Sequence, residues 1–312
     1  MKKAILIIIA LLLGIVINDT FLLKDTLYNF YYYKIINRNT SYKIIENEDL
    51  LKSNAYIKKD VSSYVSTTDS LVARDKQELL NISYSALNKG YDKLTFYCDD
   101  VYYNCGEDIA ALNKEEGNFS YTNQLVNAYN SYEYISSSYS SNLRVDITIN
   151  KRYSEDDIER INKEIDRIIV DYNINDYENL TDKIKIFHDY LAENNTYDEV
   201  MAETGSSNYR SDSAIGALFE GKAICSGYTD ALSIFLDKLG LENARVATNE
   251  HVWNAVKIDN KWYHIDLTWD DPIVSDGSHI ILHDYFMIST DKILSEDEQD
   301  HNFDRNVYDF IY

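Results

Sequence analysis

Proline occurs once in this chain of 312 residues, and glycine only ten times. No long stretch rich in Pro, Gly or Ser parts one region from another, so nothing reads as a flexible or polyproline linker between domains. Cysteine is almost as scarce, at three, and no two stand in a C-x-x-C pair, which argues against a structural zinc site. Basic residues are few beside acidic ones, 30 against 52, giving a net charge of −22. A surface of that sign repels phosphate backbones and anionic headgroups, which argues against a nucleic-acid partner. No internal repeat is visible.

What is present reads as globular. The composition is 45% hydrophobic and 26% charged, outside the range of disordered chains. The length suits one large or two modest domains with a sizeable core. Lys2 and Lys3 precede an uninterrupted apolar run, AILIIIALLLGIVI, over residues 4–17. A basic start and a run of this length fit the hydrophobic region of an export signal, and a full membrane span needs about 20 apolar residues. Neither a small-x-small cleavage site nor a lipobox cysteine follows, which favours an uncleaved anchor over a cleaved peptide. The expected organisation is therefore a signal peptide or signal anchor (1–23), a tyrosine-rich juxtamembrane stretch (24–40), an N-terminal α/β region of unknown role (41–150) and a C-terminal domain (151–312). The expected location is extracytoplasmic, secreted or anchored, with the membrane touched through the N-terminal segment only.

Export bears on the cysteines. Cys98 and Cys105 flank a turn in FYCDDVYYNCGED, and an oxidising compartment favours pairing them. The alternative is two separate half-buried thiols. Cys225 is then the odd cysteine, and an odd cysteine in an exported protein is a candidate reactive thiol.

Local patterns predict several elements. DKQELLNISYSALNKG (75–90) has helical spacing and ends at Gly90. KLTFYC (93–98) and LRVDITINK (143–151) alternate like strands, with SSSYSSN (136–142) as a polar loop before the second. Ser154 to Tyr172 reads as a helix with a capping box of Ser154 and Asp157. Its apolar stripe runs from Ile158 through Ile161, Ile165, Ile168 and Ile169 to Tyr172. A second helix is expected from Thr181, carrying His188. A third follows Gly221 and closes at Gly240, with Cys225 at or near its first turn. There the unpaired N–H groups and the positive end of the helix dipole stabilise a thiolate, the nucleophilic form. The same N–H groups can bind a developing oxyanion. Ser226 and Gly227 are small enough to leave room for a substrate backbone. The competing reading is a buried, inert cysteine.

A thiol nucleophile needs a base and a group to orient it. NEHVWNAVKIDNKWYHIDLTWDDP (249–272) reads as a β-hairpin turning at Asp259-Asn260 and returning through KWYHIDLTW. With Ile258 opposite Lys261, His251 and Asp266 become diagonal neighbours on one face, about 7 Å apart or less at Cβ. His264 shares the face of Asp266, so the register leaves His251, His264 and the more distant His188 all open as bases. Asp270, Asp271 and Asp276 lack the spacing of a calcium-binding loop.

Three blocks together resemble the transglutaminase-like superfamily: KIKIFHDYLAENNTYD, GKAICSGYTDALSIFLDKLGL and HVWNAVKIDNKWYHIDLTWDDP. DYFMISTDKILSEDEQDHNF is similar to the tail of bacterial members, and a Gram-positive source is suspected. The resemblance implies an α+β, papain-like core, a nucleophile helix packed on an antiparallel sheet. It implies Cys225 as nucleophile, His251 as base and Asp266 as orienting acid, with Tyr228, Trp253 and Trp269 shaping the core or the substrate groove. It implies no cofactor and no metal, and a protein or peptide substrate outside the cytoplasm. The activity expected is acyl transfer from a peptide or glutamine amide through a thioester, with water or an amine as acceptor. The alternative is a catalytically silent cell-surface binding module that keeps the fold as a scaffold.

Overall fold

Period-two alternation in KLTFYC buries Leu94, Phe96 and Cys98 on one face of a strand, and in RVDITINK it buries Val145, Ile147 and Ile149. The computed structural model describes residues 51–112, 119–273, 280–295 and 299–312. The segments 1–23 and 24–40 lie outside the described residues, and so does Asp276. Among the described residues no helix is long and apolar enough to cross a membrane.

The first part of the described chain runs β1 (Val72–Ala73), α1 (Lys76–Asn88), β2 (Lys93–Cys98), α2 (Cys105–Ala110), α3 (Ser120–Leu125), β3 (Tyr132–Tyr139) and β4 (Arg144–Lys151). Asp75 caps α1 by accepting the Glu78 N–H, and Gly90 follows the helix end at φ +71°. The sheet order is β1-β2-β4-β3, parallel in its first pair and antiparallel in the others. The polar loop expected at 136–142 is corrected. Ser136 to Tyr139 are strand, paired with Thr148 to Val145. They lie on an edge strand with their side chains exposed, so a polar run there reflects a solvated edge rather than a loop.

The second part runs α4 (Glu155–Asp171), α5 (Leu180–Asn194), β5 (Thr196–Tyr197), α6 (Glu199–Thr204), β6 (Lys222–Ala223), α7 (Cys225–Lys238), β7 (Asn243–Ala247), β8 (Val252–Ile258), β9 (Lys261–Ile265), α8 (Leu267–Asp270), β10 (Ile288–Ser289) and α9 (Thr290–Ser295). The Ser154–Asp157 capping box opens α4, whose Ile161, Ile165, Ile168 and Ile169 are buried. Tyr172 leaves the stripe as the exposed C-cap. The second helix starts at Leu180 rather than Thr181, because the Asn179 side chain caps it by accepting the Thr181 N–H. The antiparallel sheet β10-β9-β8-β7 carries α7 across β7 and β8. Asp259 and Asn260, at φ +51° and +62°, make the tight turn between β8 and β9.

The architecture is mixed α+β. The described residues from 51 onward make one compact unit. One buried cluster joins Phe96, Cys98 and Ile147 of the first sheet to Val246, Trp253 and Trp262 of the second, and to Phe303 and Tyr308 of the tail. A buried ion pair adds to the join. Arg245 of β7 meets Asp230 of α7 at 2.6 Å, with both side chains under 5% exposed. Tyr153 Oη donates to the other Asp230 oxygen at 2.6 Å, and the Arg245 guanidinium donates to the carbonyls of Asn123 and Val126 in the first part. Cys98 and Cys105, both buried in the shared cluster, are joined by a disulfide with Cα atoms 6.3 Å apart.

Candidate active site

Gly221, at φ +65°, turns the chain into β6, and Ile224 then opens α7. Cys225 is the first residue of that helix, and no side chain caps its N-terminus. The first-turn N–H groups therefore remain available to a negative charge next to the sulfur. Cys225 is partly exposed and is the one cysteine outside the disulfide.

Gly227, expected to leave room for substrate, does something else. It is buried, and a Cβ added there would lie 2.3 Å from the Ser211 carbonyl oxygen. That same oxygen accepts the Ile224 N–H at 2.9 Å. The missing side chain lets the chain's own backbone approach and hold the residue before the thiol. Gly227→Ala is expected to destabilise the fold by about 1–3 kcal/mol through overpacking, although alanine favours helices by about 1 kcal/mol. A urea midpoint at or above wild type would refute this.

His251 stands just before β8, and its Nε2 meets Asp266 Oδ2 at 2.5 Å. Its remaining nitrogen, Nδ1, is left free of Asp266, and Cys225 lies close enough to act on the charge of the ring. Burial opposes charge on His251, but the Asp266 carboxylate, the hydrogen bond to it and the nearby Cys225 outweigh burial and push the imidazole up to about 10. Asp266 is 1% exposed. Burial opposes its ionisation, yet the charge on His251 and the hydrogen bonds from His251 and His301 hold it down at about 2. The two shifts are unequal because Cys225 adds to the first and full burial works against the second.

The returning strand stops at Ile265, short of the expected Trp269. Asp266 instead caps α8, its Oδ1 accepting the N–H groups of Thr268 and Trp269 at 3.1 and 3.3 Å. One carboxylate thus closes a helix with one oxygen and holds His251 with the other.

The rival histidines are committed elsewhere. His264 Nδ1 accepts the Trp253 indole N–H at 2.9 Å, its Nε2 meets Thr290 Oγ1 at 3.2 Å, and burial pushes it down to about 3. His188, fully buried on α5, lies between Asp189 and Asp270. Tyr228 and Trp253, expected as core or groove, are core. Each is 1% exposed. Tyr228 Oη donates to Asp271 at 2.5 Å, and the Trp253 ring stacks on His251 at 5.7 Å. Trp269 packs on Tyr285 and His301. None of the three borders the cleft.

That cleft, about 440 Å³, is lined by Cys225, Ser226 and His251 together with Tyr121, Asn123, Tyr132 and Glu133. An adjoining hollow of about 560 Å³ shares Tyr121 and residues 248–250 with it. The region 41–150 therefore supplies part of the lining. Sequence reasoning missed that part, and it missed Tyr197, which burial first and then the nearby Cys225 push up to about 12. It missed His301 too, which donates from Nε2 to the Asp266 oxygen that His251 uses, at 2.9 Å. The sequence signal for His301 was its place in a tail that resembles that of bacterial members of the superfamily.

Among the described residues, two side-chain groups have a spacing that could hold a metal ion: His251, Asp266 and His301, and His188, Asp189 and His283. Hydrogen bonds among their facing atoms account for both, and the Lys185 ammonium already sits between Asp189 and His283.

Residues 169–267, which carry Cys225, His251 and Asp266, match the model of the transglutaminase-like superfamily. Over this stretch, about a third of its length, the chain is similar to that superfamily. No curated protein matches it. Among solved structures, one described as a TGase is 18% identical, with 50% of this chain and 48% of that one covered and a TM-score of 0.34. A candidate cysteine protease from Cytophaga hutchinsonii is 13% identical, with 47% and 65% covered and a TM-score of 0.27. This chain thus covers about half to two thirds of those proteins' length. The superfamily stretch ends one residue past Asp266, so His301 and the cleft wall at 120–133 both lie outside it.

Proposed function

We propose that this protein is an extracytoplasmic, cysteine-dependent acyl-transfer enzyme acting on peptide or glutamine amides through a thioester. The observation that carries the reading is the thiol at the uncapped start of α7, lining one cleft with a histidine whose Nε2 rests on a buried carboxylate. His251 Nδ1 takes the thiol proton, and the thiolate attacks the amide carbonyl. The N–H groups of the first turn of α7 face the developing oxyanion. The imidazolium, held by Asp266, returns the proton to the leaving amine, which departs and leaves Cys225 acylated. Water then gives hydrolysis, and a primary amine gives cross-linking. The Cys98–Cys105 disulfide supports an oxidising compartment, as does the hydrophobic start of the sequence.

Because Cys98 and Cys105 are paired, iodoacetamide reports on Cys225 alone. Labelling is expected to persist well below the ~8.5 of a free thiol and to lose that acid limb in His251→Ala. Cys225→Ala is expected to abolish amide hydrolysis and amine incorporation on casein. Labelling with an ordinary thiol profile, unaffected by His251→Ala, would favour the silent scaffold instead.

A further inference from the structure

We propose that His301 is a positioning residue for the Cys225–His251 pair, holding the Asp266 carboxylate in the orientation from which it supports His251. The proposal rests on the acyl-transfer reading above. His251 and His301 donate from Nε2 to the same atom, Asp266 Oδ2, at 2.5 and 2.9 Å. A carboxylate oxygen has two lone pairs, and these two donors use both. Oδ1 is fixed by the Thr268 and Trp269 N–H groups. Four donors on a carboxylate 1% exposed leave it a single arrangement.

The His301 tautomer follows from the same contacts. Its Nδ1 is buried with no hydrogen-bond partner among the described residues, so a proton placed there would have no acceptor. The proton belongs on Nε2, facing Asp266. Aromatic rings lock the imidazole: Tyr285 stacks on it at 5.3 Å, and Trp253 meets it edge-on at 5.0 Å. Asp300 and Asn302 on either side of it line the hollow beside the cleft, whereas His301 does not. It therefore acts through Asp266 rather than on a substrate.

The other ionisable groups facing this cluster are Tyr197 of β5, His264 of β9, Tyr285 and Asp300. All are left intact in the test. The full-length protein is labelled with iodoacetamide from about pH 4 to about pH 9 as wild type, His301→Phe, His301→Gln and His251→Ala, with thermal unfolding alongside. Phenylalanine keeps the ring contacts and loses the N–H donor, whereas glutamine keeps an amide donor. His301→Phe is expected to label about tenfold more slowly at about pH 4, its acid limb moved up by about one pH unit, and His301→Gln to recover most of the loss.

The proposal is overturned if His301→Phe keeps the wild-type profile while His251→Ala loses the acid limb. It is equally overturned if Phe and Gln cost the same, since ring packing rather than the N–H would then be at work. A wild-type profile in His251→Ala sinks the acyl-transfer reading itself, and this proposal with it.

Discussion

Asp266→Asn is expected to slow acyl transfer by about 10³–10⁴-fold, the scale seen when an orienting carboxylate of a catalytic triad becomes an amide. The loss follows from the proton positions. Asp266 Oδ2 accepts from His251 Nε2, which keeps Nδ1 free to take the thiol proton. An asparagine turned with its NH₂ toward the ring would donate instead, moving the imidazole proton to Nδ1 and turning the base away from the sulfur. Turned the other way, it would give up its bonds to Thr268 and Trp269. Labelling at about pH 5 gives the check, because a free thiol of pKa about 8.5 is ionised there to only ~3 parts in 10⁴. The rate should fall by about 10³-fold, and a loss under tenfold would count against the role given to Asp266.

The same pair sets a pH window. The raised His251 contributes stability fully below its ordinary 6.5, and this is lost as pH rises through about 10. The depressed Asp266 contributes above its ordinary 3.8, lost as pH falls through about 2. The pair's contribution is therefore complete between those ordinary values and fades on either side. The stability of Asp266→Asn should lack this dependence.

Arg245→Met is expected to destabilise the protein by about 3–5 kcal/mol, a drop in melting temperature of about 10 °C at this size. The variant takes the paired guanidinium from the buried Asp230 carboxylate, leaving it the Tyr153 hydroxyl and the more distant charges of Arg152 and Lys58, and it strips a donor from the carbonyls of Asn123 and Val126. Asp230 lies on α7, just over one turn beyond Cys225, and Asn123 lines the cleft. Thiol labelling in Arg245→Met should therefore lose its acid limb at a temperature where wild type still keeps it. A melting temperature within about 2 °C of wild type would refute the prediction.

Sequence made legible those parts of the fold that depend on neighbours in the chain. The Ser154–Asp157 box, the Asp259-Asn260 turn, the closing glycines 90 and 240 and the helix opening at Cys225 are local events, and each is present. The diagonal relation of His251 to Asp266 followed from the turn, because a two-residue hairpin fixes the register. Other features needed the tertiary structure. Gly227 is small because Ser211 approaches it from another segment. Asp266 ends a strand because it caps α8, and the alternating pattern runs on past it. His301 comes from 35 residues further along, beyond a stretch with no periodicity. Choosing His251 over His264 required the superfamily resemblance, since the two differ in their tertiary partners rather than in pattern.

The cleft is lined from two lengths of chain. The thiol lies within the superfamily stretch, and the lining from Tyr121 to Glu133 lies upstream of it. On the proposed acyl-transfer reading, the reacting bond and the choice of molecule fall to separate lengths of chain. Exchanging Tyr121, Asn123 or Glu133 alters what fits while leaving Cys225, His251 and Asp266 undisturbed. Two proteins alike over the shared stretch can thereby diverge freely in diet while keeping one chemistry.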